Sequence, residues 1–350
     1  MEYVNDSCTN TTEEEQPTFV TGHTIFIFTL GIIGIIGNIL ALRVLLQRNM
    51  NSTFSKLRAA LAVFDALLLL CAINLFTNVK GAVFIYLWWP MGNFAHTASI
   101  FMTMAIAIER FVAISDPHGY RKNQRYRTTK YVSAVTISAL MLNIIAFFEF
   151  EVGCNSTKIP LPVGLTYTKA YRTLGFTIYY SVILNLLFKG LIPTTLLLSV
   201  YTKIYAKLKR IHHERMNSTT NNAIEQRCTV QQEKMARIFA GVVIVYLISA
   251  IPHVVVKIID LFFIATSSFD ADQPEWYFIG LKLRDFLGML NSVVNIVIYT
   301  LLDKKFGREC RKVLQIGCKC EDNNTPSNTI SMTPMKRERN VDSSGNEDLK

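Results

Sequence analysis

The stretch HTIFIFTLGIIGIIGNILAL, residues 23 to 42, carries neither an Asp, Glu, Lys or Arg nor a polar face. A soluble helix of this length keeps a polar stripe at its 3.6-residue period, and this one has nothing to turn towards water. Lipid removes the contradiction. A bilayer core of roughly 30 Å needs about 20 apolar residues per helix, and a helix satisfies its own backbone where water is absent. The same character recurs at Lys56 to Val79, Phe84 to Ile114, Thr129 to Phe148, Phe176 to Tyr205, Glu233 to Ile264 and Trp276 to Leu302, so that with His23 to Leu46 the chain has seven spans. Composition agrees: of 350 residues 50% are hydrophobic and only 18% charged, more apolar than an ordinary soluble domain. The expected fold is an all-α membrane bundle of seven transmembrane helices over residues 23–302. An extracellular tail over 1–22 precedes it, and a short amphipathic cytoplasmic helix over 303–320 and a disordered cytoplasmic tail over 321–350 follow.

The net charge of +10 is placed for a bilayer rather than for nucleic acid. Arg43, Arg48, Lys56 and Arg58 flank the first loop; Arg121, Lys122, Arg125, Arg127 and Lys130 fill the third; Lys203, Lys207, Lys209, Arg210, Arg215, Arg227, Lys234 and Arg237 crowd the fifth. The N-terminal segment has Glu2, Asp6, Glu13, Glu14 and Glu15 and no Lys or Arg before Arg43. Positive loops stay inside, so the expectation is a multi-pass plasma-membrane protein with its N-terminus outside and its C-terminus in the cytoplasm. Met1 is not followed by a basic, cleavable leader, and the first span is expected to act as its own insertion signal.

That orientation sorts the modification sites. The sequons at Asn5, Asn10 and Asn155 fall outside, where they are glycosylation candidates, and those at Asn51, Asn217 and Asn323 fall inside. Of seven cysteines only Cys8 and Cys154 lie outside, Cys71 is within a helix, and Cys228, Cys310, Cys318 and Cys320 face the reducing cytosol. A bridge between Cys8 and Cys154 is one pairing; the sequence leaves it open.

Polar residues within the spans carry the chemistry, because each costs a few kcal/mol in lipid and turns to the bundle interior, a partner or water. Asp65, in LAVFDALLLL, is the most isolated. Asn38, Ser99, Asn291, Ser292 and Asn295 lie at comparable depth in other helices and have the oxygens to surround a small cation such as sodium. The competing reading is a set of hydrogen-bonded helix contacts. Glu109 and Arg110 end a run from Gly81 to Ile108 with no Asp, Glu, Lys or Arg. They suit a latch at the water boundary or, more blandly, an interfacial anchor with a snorkelling Arg.

In order along the chain come Gly37-Asn38, Asp65 in LAVFD, Glu109-Arg110-Phe111, Pro193 with Tyr201 in PTTLLLSVY, Pro252 in ISAIPH, and Asn295 to Tyr299 in NIVIY. This pattern resembles the rhodopsin-like G-protein-coupled receptors over roughly residues 25 to 315. The resemblance implies no enzyme activity, an extracellular ligand and a heterotrimeric G protein, with arrestin and receptor kinases as further partners. It also implies that Glu109 holds Arg110 at rest, that Arg110, once released, reaches Tyr201, Tyr299 and the G protein, and that Pro252 and Asn295 belong to the activation switch. The chain departs from the pattern at Ile85, where the family has the Cys that pairs with the second extracellular loop, which favours Cys8 as the partner of Cys154. Ala250 stands in place of the aromatic toggle, Ile296 in place of the proline before the last Tyr, and the fourth span has no Trp. Gly92 replaces the Asp of amine receptors, 18 residues before Arg110, and Met289 replaces the Schiff-base Lys of retinal proteins.

WPMGNFAHTASIFMTMAIAIERFVAI, NIIAFFEFEVGC and NSVVNIVIYTLLDKKFGREC are similar to segments of invertebrate FMRFamide-type neuropeptide receptors. The implied ligand is an RFamide-like peptide; a chemosensory receptor of the same fold for a small molecule is the nearest alternative, and a secondary transporter using Asp65 and Lys189 is the rival of another class. Transporters show internal repeats and paired broken helices, and the sequence has neither. Candidates for the ligand pocket are His96, Glu149, Glu151, Lys189, His253, Lys257 and Asp285. A carboxylate, first of all Asp285, would receive the Arg of such a peptide. Lys257 and Asp260, three apart on one helix, are expected to pair with each other. Beyond Tyr299, LLDKKFGRECRKVL alternates apolar and basic residues as a helix lying on an anionic leaflet does, with Cys310, Cys318 and Cys320 as palmitoylation candidates. The polar segment from Ile211 to Gln232 is expected to be a flexible loop.

Overall fold

The computed structural model describes residues 18–50, 52–76, 83–116, 120, 126–152, 165–169, 173, 177–216, 223–265 and 274–319. Among them are seven helices long and apolar enough to cross a membrane. They are α1 (Thr18–Leu45), α2 (Thr53–Phe76), α3 (Trp89–Ser115), α4 (Arg127–Asn143), α5 (Ile192–Met216), α6 (Ala223–Ala265) and α7 (Glu275–Leu302). An eighth helix, α8, spans Lys304–Lys319. Two short strands, β1 (Phe150–Val152) and β2 (Leu165–Tyr167), pair antiparallel between α4 and α5, with Glu151 opposite Thr166. By its contacts the chain divides into residues 1–311, which contain the bundle, and residues 312–350.

The helices sort their surfaces as lipid demands. Ile25, Phe26, Ile33 and Ile36 of α1 are exposed, whereas Ile27 is fully buried with Leu69 and Ala72 of α2 and Met289 and Val293 of α7. Small residues make that approach close. A Cβ on Gly31 would lie 2.7 Å from the Ile73 side chain, and one on Gly34 would lie 2.6 Å from Leu69 and Val293. Helices in a bilayer gain by packing backbones together across such positions, and larger residues here would push α1 off its neighbours. Helix α3 is central: it touches α2, α4, α5 and α6.

Three departures from regular helix lie beside the site. A π-helical turn, Phe84–Trp88, leads into α3, and two more, Thr177–Leu184 and Leu186–Leu191, lead into α5. The last of these stops just before Pro193. A proline inside a helix has no N–H to give and its ring crowds the carbonyl four residues back, here that of Lys189. The freed carbonyl accepts the Tyr246 hydroxyl of α6 at 3.2 Å, so a polar group loosened in one helix is satisfied by the next.

Residues 211–216 and 223–232 correct the expectation of a flexible loop over 211–232, of which 217–222 lie outside the described residues. Helix α5 continues to Met216 and α6 begins at Ala223, ten residues before the expected start at Glu233. AIEQRCTVQQ has no Gly or Pro and several good helix formers, and polarity alone does not break a helix. Helix α1 begins at Thr18, so residues 18–22 of the expected tail 1–22 are helical; residues 1–17 and the expected tail 321–350 lie outside the described residues.

Candidate functional site

Glu109 and Arg110 stand near the C-terminal end of α3, both buried. Glu109 is a hub. Its Oε1 accepts the Tyr120 hydroxyl and lies 3.7 Å from Arg110 Nη2, and its Oε2 lies 3.8 Å from Arg127 Nη1 at the start of α4. Arg127 also covers the Tyr120 ring, 4.7 Å from its centroid. Burial and the bond to Glu109 push the Tyr120 hydroxyl's pKa above the ordinary phenol value, keeping it a neutral donor.

The second half of this cluster was not legible as a site. The Phe54 ring of α2 meets two guanidiniums, that of Arg110 4.1 Å and that of Arg58 4.4 Å from its centroid. Arg58 also covers the Tyr299 ring at 4.8 Å and donates from both Nη1 and Nη2 to Asp303 Oδ2 at 3.3 Å. Asp303 in turn caps α8, its Oδ1 accepting the backbone N–H of Lys305 at 3.1 Å and of Phe306 at 3.2 Å. Phe306 meets Tyr299 edge to face at 5.8 Å. One residue therefore ties α2, α7 and the start of α8. In the sequence Arg58 counted only as a loop charge. The available signal was its spacing of seven before Asp65, two helical turns along one face.

Arg58, and not Arg110, is the guanidinium on Tyr299 here. Tyr201 of α5 is half-buried and stacks on Tyr205, 6.5 Å between centroids. Pro252 sits within α6, half-buried.

Deeper in the bundle Asp65 is 0% exposed. Its Oδ1 accepts Ser99 Oγ of α3 at 2.6 Å and Ser292 Oγ of α7 at 2.9 Å, and its Oδ2 accepts Asn295 Nδ2 at 2.7 Å. Asn38 joins from α1, donating to the carbonyls of Gly34 at 2.9 Å and Ser292 at 3.1 Å. Of the residues grouped with Asp65 by depth, Asn291 is half-buried and is not among its hydrogen-bond partners.

The other half of the bundle holds the expected pocket residues. Lys189, on the π-helical lead of α5, is 7% exposed, and its Nζ donates to Asn93 Oδ1 of α3 at 3.1 Å. His96 of α3 and His253 of α6 face each other, ring centroids 6.1 Å apart, and the Nε2 of His253 is buried without a hydrogen-bond partner. Lys257 pairs with Asp260 at 2.8 Å, as their spacing implied, and Asp260 also accepts the Tyr277 hydroxyl of α7 at 2.7 Å. Asp285 is paired within its own helix, 2.8 Å from Arg284 Nη2, with 40% of its side chain exposed. Glu149 is buried and accepts Trp89 Nε1 at 2.7 Å, while Trp89 packs edge to face on Phe150 at 5.2 Å, which pins β1 to the start of α3. Glu151 is exposed.

Asn5, Cys8, Asn10, Cys154, Asn155 and Cys320 lie outside the described residues, and the side chain of Cys318 does too. Cys310 is buried, 5% exposed, and burial raises its thiol's pKa. A lipid on Cys310 requires that side chain to turn out of its packing.

Comparison with known proteins decides what these elements belong to. Residues 37–299 match the family model "7 transmembrane receptor (rhodopsin family)". The chain belongs to the rhodopsin family of seven-transmembrane receptors. It is 26% identical over 306 residues to the FMRFamide receptor of Drosophila melanogaster, an alignment covering 81% of this chain and 52% of that protein, so the chain spans about half that relative's length. It is also 26% identical over 342 residues to the trace amine-associated receptor 7b of Rattus norvegicus, covering 93% of this chain and 90% of the other. The neuromedin-U receptor 2 of Mus musculus is 24% identical over 310 residues, covering 84% and 76%. A family of receptors, not of enzymes, is where the motifs of this receptor place it. Its relatives differ in what their names say they bind, so family membership leaves the ligand to be argued from the site.

Proposed function

We propose that the receptor is activated by an extracellular peptide, RFamide-like in class, and signals through heterotrimeric G proteins. The ligand enters the half of the bundle lined by Lys189, His253, Lys257, Arg284 and Asp285. The N-terminus is outside, and the Arg110 end faces the cytoplasm, where the G protein, arrestin and receptor kinases act. The observation that carries this reading is the enclosed Glu109 and Arg110 cluster, in which an acid held by Tyr120 and Arg127 restrains the Arg next to it. An ion pair 3.7 Å long, whose acid is shared with Tyr120 and Arg127, biases a resting state and leaves Arg110 able to exchange it for another partner.

The amine reading implied by the names of the trace amine relatives finds no support on α3. Gly92 offers no carboxylate, and the polar groups that follow it within the next turn of that helix are Asn93 and His96. An Arg-bearing peptide, by contrast, finds carboxylates at Asp285 and the exposed Glu151. A sodium ion suits the donor set around Asp65: one carboxylate and the hydroxyls of Ser99 and Ser292, hard oxygens from three helices, would hold it, with Asn295 alongside. Such an ion would supply a positive charge that neutralises Asp65 in the resting bundle. Cys318 and Cys320 are the better candidates for lipid attachment, and glycans at Asn5, Asn10 and Asn155 together with a Cys8 to Cys154 bridge complete the outer surface.

The test is a neuropeptide library applied to cells expressing the full chain, read by calcium and cAMP, beside uptake and current measurements. A G-protein response to a peptide at submicromolar concentration is expected. Substrate flux without G protein would replace the receptor reading by the transporter one.

A further inference from the structure

The fate of the charges in the Lys189 half of the bundle singles out one of them. Asp260 is taken by Lys257 and Tyr277, Asp285 by Arg284, and Glu149 by Trp89. Lys189 has no ion pair among the described residues, and its one hydrogen-bond partner is the neutral Asn93. An ammonium has three protons to donate, and among the described residues only one of them has an acceptor, at a depth where water is scarce. The positive charges of Lys257 and Arg284 add to the field there, and only Glu149 opposes it. Beside it on α6 stands His253, whose Nε2 is buried without a partner. The contact between the two elements is close, since a Cβ on Gly190, the residue after Lys189, would lie 3.9 Å from the His253 ring.

Holding an uncompensated ammonium in this position opposes stability, and the lead into α5 is built around it. Pro193 releases the Lys189 carbonyl and Tyr246 receives it, so the backbone at this residue is satisfied while the side chain is not. We propose that Lys189 Nζ and His253 Nε2 form the anchor for an anionic group of the ligand, a carboxylate received between α3, α5 and α6. The proposal rests on the reading that this half of the bundle is the site of a peptide ligand, and within that reading it replaces the amidated end of an RFamide-like peptide by a free carboxylate. A carboxylate fits better than a phosphate, because the guanidinium fork of Arg284, the one nearby among the described residues, is already engaged by Asp285. A cationic amine is disfavoured by the same three positive side chains. On the peptide reading the carboxylate belongs to the C-terminus or to an Asp or Glu side chain, and an Arg-Phe carboxamide offers Lys189 only a neutral acceptor.

Lys189→Met, which keeps length and removes charge, tests this in the purified full-length receptor. Without ligand the variant should melt at or above the wild-type temperature, because an uncompensated buried charge has gone. A variant that melts well below it makes Lys189 a structural residue and overturns the proposal. The probes are Phe-Met-Arg-Phe as free acid and as amide, and the small pair 3-phenylpropionate and phenethylamine. Wild type should favour the free acid over the amide by about tenfold, Lys189→Met should show no preference, Lys189→Arg should restore part of it, and His253→Phe should reduce it. Equal affinity for acid and amide in wild type and in Lys189→Met overturns the proposal. If neither peptide binds, the peptide reading fails by itself. Thermal stabilisation of wild type, and not of Lys189→Met, by 3-phenylpropionate then still upholds the anchor, and its absence ends it.

Discussion

Arg58 and Lys189 are both buried cations in membrane-spanning helices, 2% and 7% exposed, yet the protein treats them oppositely. Arg58 lies between two aromatic rings and gives two hydrogen bonds to a carboxylate. Lys189 gives one hydrogen bond to a neutral amide. A bundle that gives one buried cation a carboxylate and two aromatic rings does not lack the means to compensate the other. The contrast separates a charge used to hold the protein's own parts together from one left for something outside it. It follows that substitutions at the Arg110 end should act on the resting equilibrium whatever the ligand, and that those in the Lys189 half should act on ligand affinity with little effect on basal signalling.

The largest expected effect is at Arg110. Arg110→Ala should abolish G-protein activation, measured by GTPγS exchange in membranes, while surface expression and much of the ligand binding persist. Normal exchange from that variant would remove the function assigned to this end. Next comes Arg58→Met. Removing one member of a buried ion pair costs roughly 3 to 5 kcal/mol, and because Asp303 is partly exposed about 2 kcal/mol of stability is expected here. Tyr299 and Asp303 lose the same partner, so ligand-independent signalling should rise severalfold. A variant that is destabilised without a rise in basal activity would make Arg58 a packing element and not a latch.

How much of this was legible differs between the two ends for a physical reason. The seven spans follow from hydropathy, which lipid enforces residue by residue, and Asp65 announces itself by isolation in LAVFDALLLL. Lys189 was equally visible, an isolated cation in an apolar run. The Arg58 cluster was hidden because Arg beside a loop is what topology alone demands. Only packing shows that it turns inward onto Phe54 and Tyr299. Asp285 has two basic neighbours in the sequence, Lys282 and Arg284, and only packing shows that it takes the adjacent Arg284, which helical spacing does not favour. The helical ends at 211–216 and 223–232 were misread because a polar composition is shared by loops and by helices that leave the bilayer.

Asp285 gives a smaller, sharper test of the Lys189 half. Its carboxylate was the first choice for a peptide guanidinium, and it is already shared with Arg284. With 40% of its side chain exposed it is a rim charge, so Asp285→Ala should weaken an Arg-containing agonist by about 1 kcal/mol, below the 2 to 5 kcal/mol of a buried pair. The citrulline analogue should be nearly unaffected. Equal losses for both peptides would make Asp285 only the partner of Arg284, and a loss above a hundredfold would shift the main ligand charge from Lys189 to this carboxylate.

The smallest effect is a rate of labelling, and it reports on the latch without any ligand. Cys310 is buried in α8 one turn beyond Phe306, which packs on Tyr299, so the clamp that Arg58 places on Tyr299 and Asp303 also shields this thiol. Burial raises the thiol's pKa, which leaves less of the reactive thiolate at pH 8 than an ordinary cysteine has. In a receptor whose cysteines other than Cys310 and the buried Cys71 are replaced, maleimide should therefore label Cys310 at least about tenfold more slowly than a free thiol. Raising the pH should speed the reaction, since thiolate accumulates towards the elevated pKa. Adding Arg58→Met should speed it at constant pH, because Tyr299 and the start of α8 are then free to part, whereas Lys189→Met should leave it unchanged. Fast labelling of the parent would show that the Arg110 end is open at rest. Equal acceleration by both variants would show that the two buried cations are coupled, and the division drawn between them would fail.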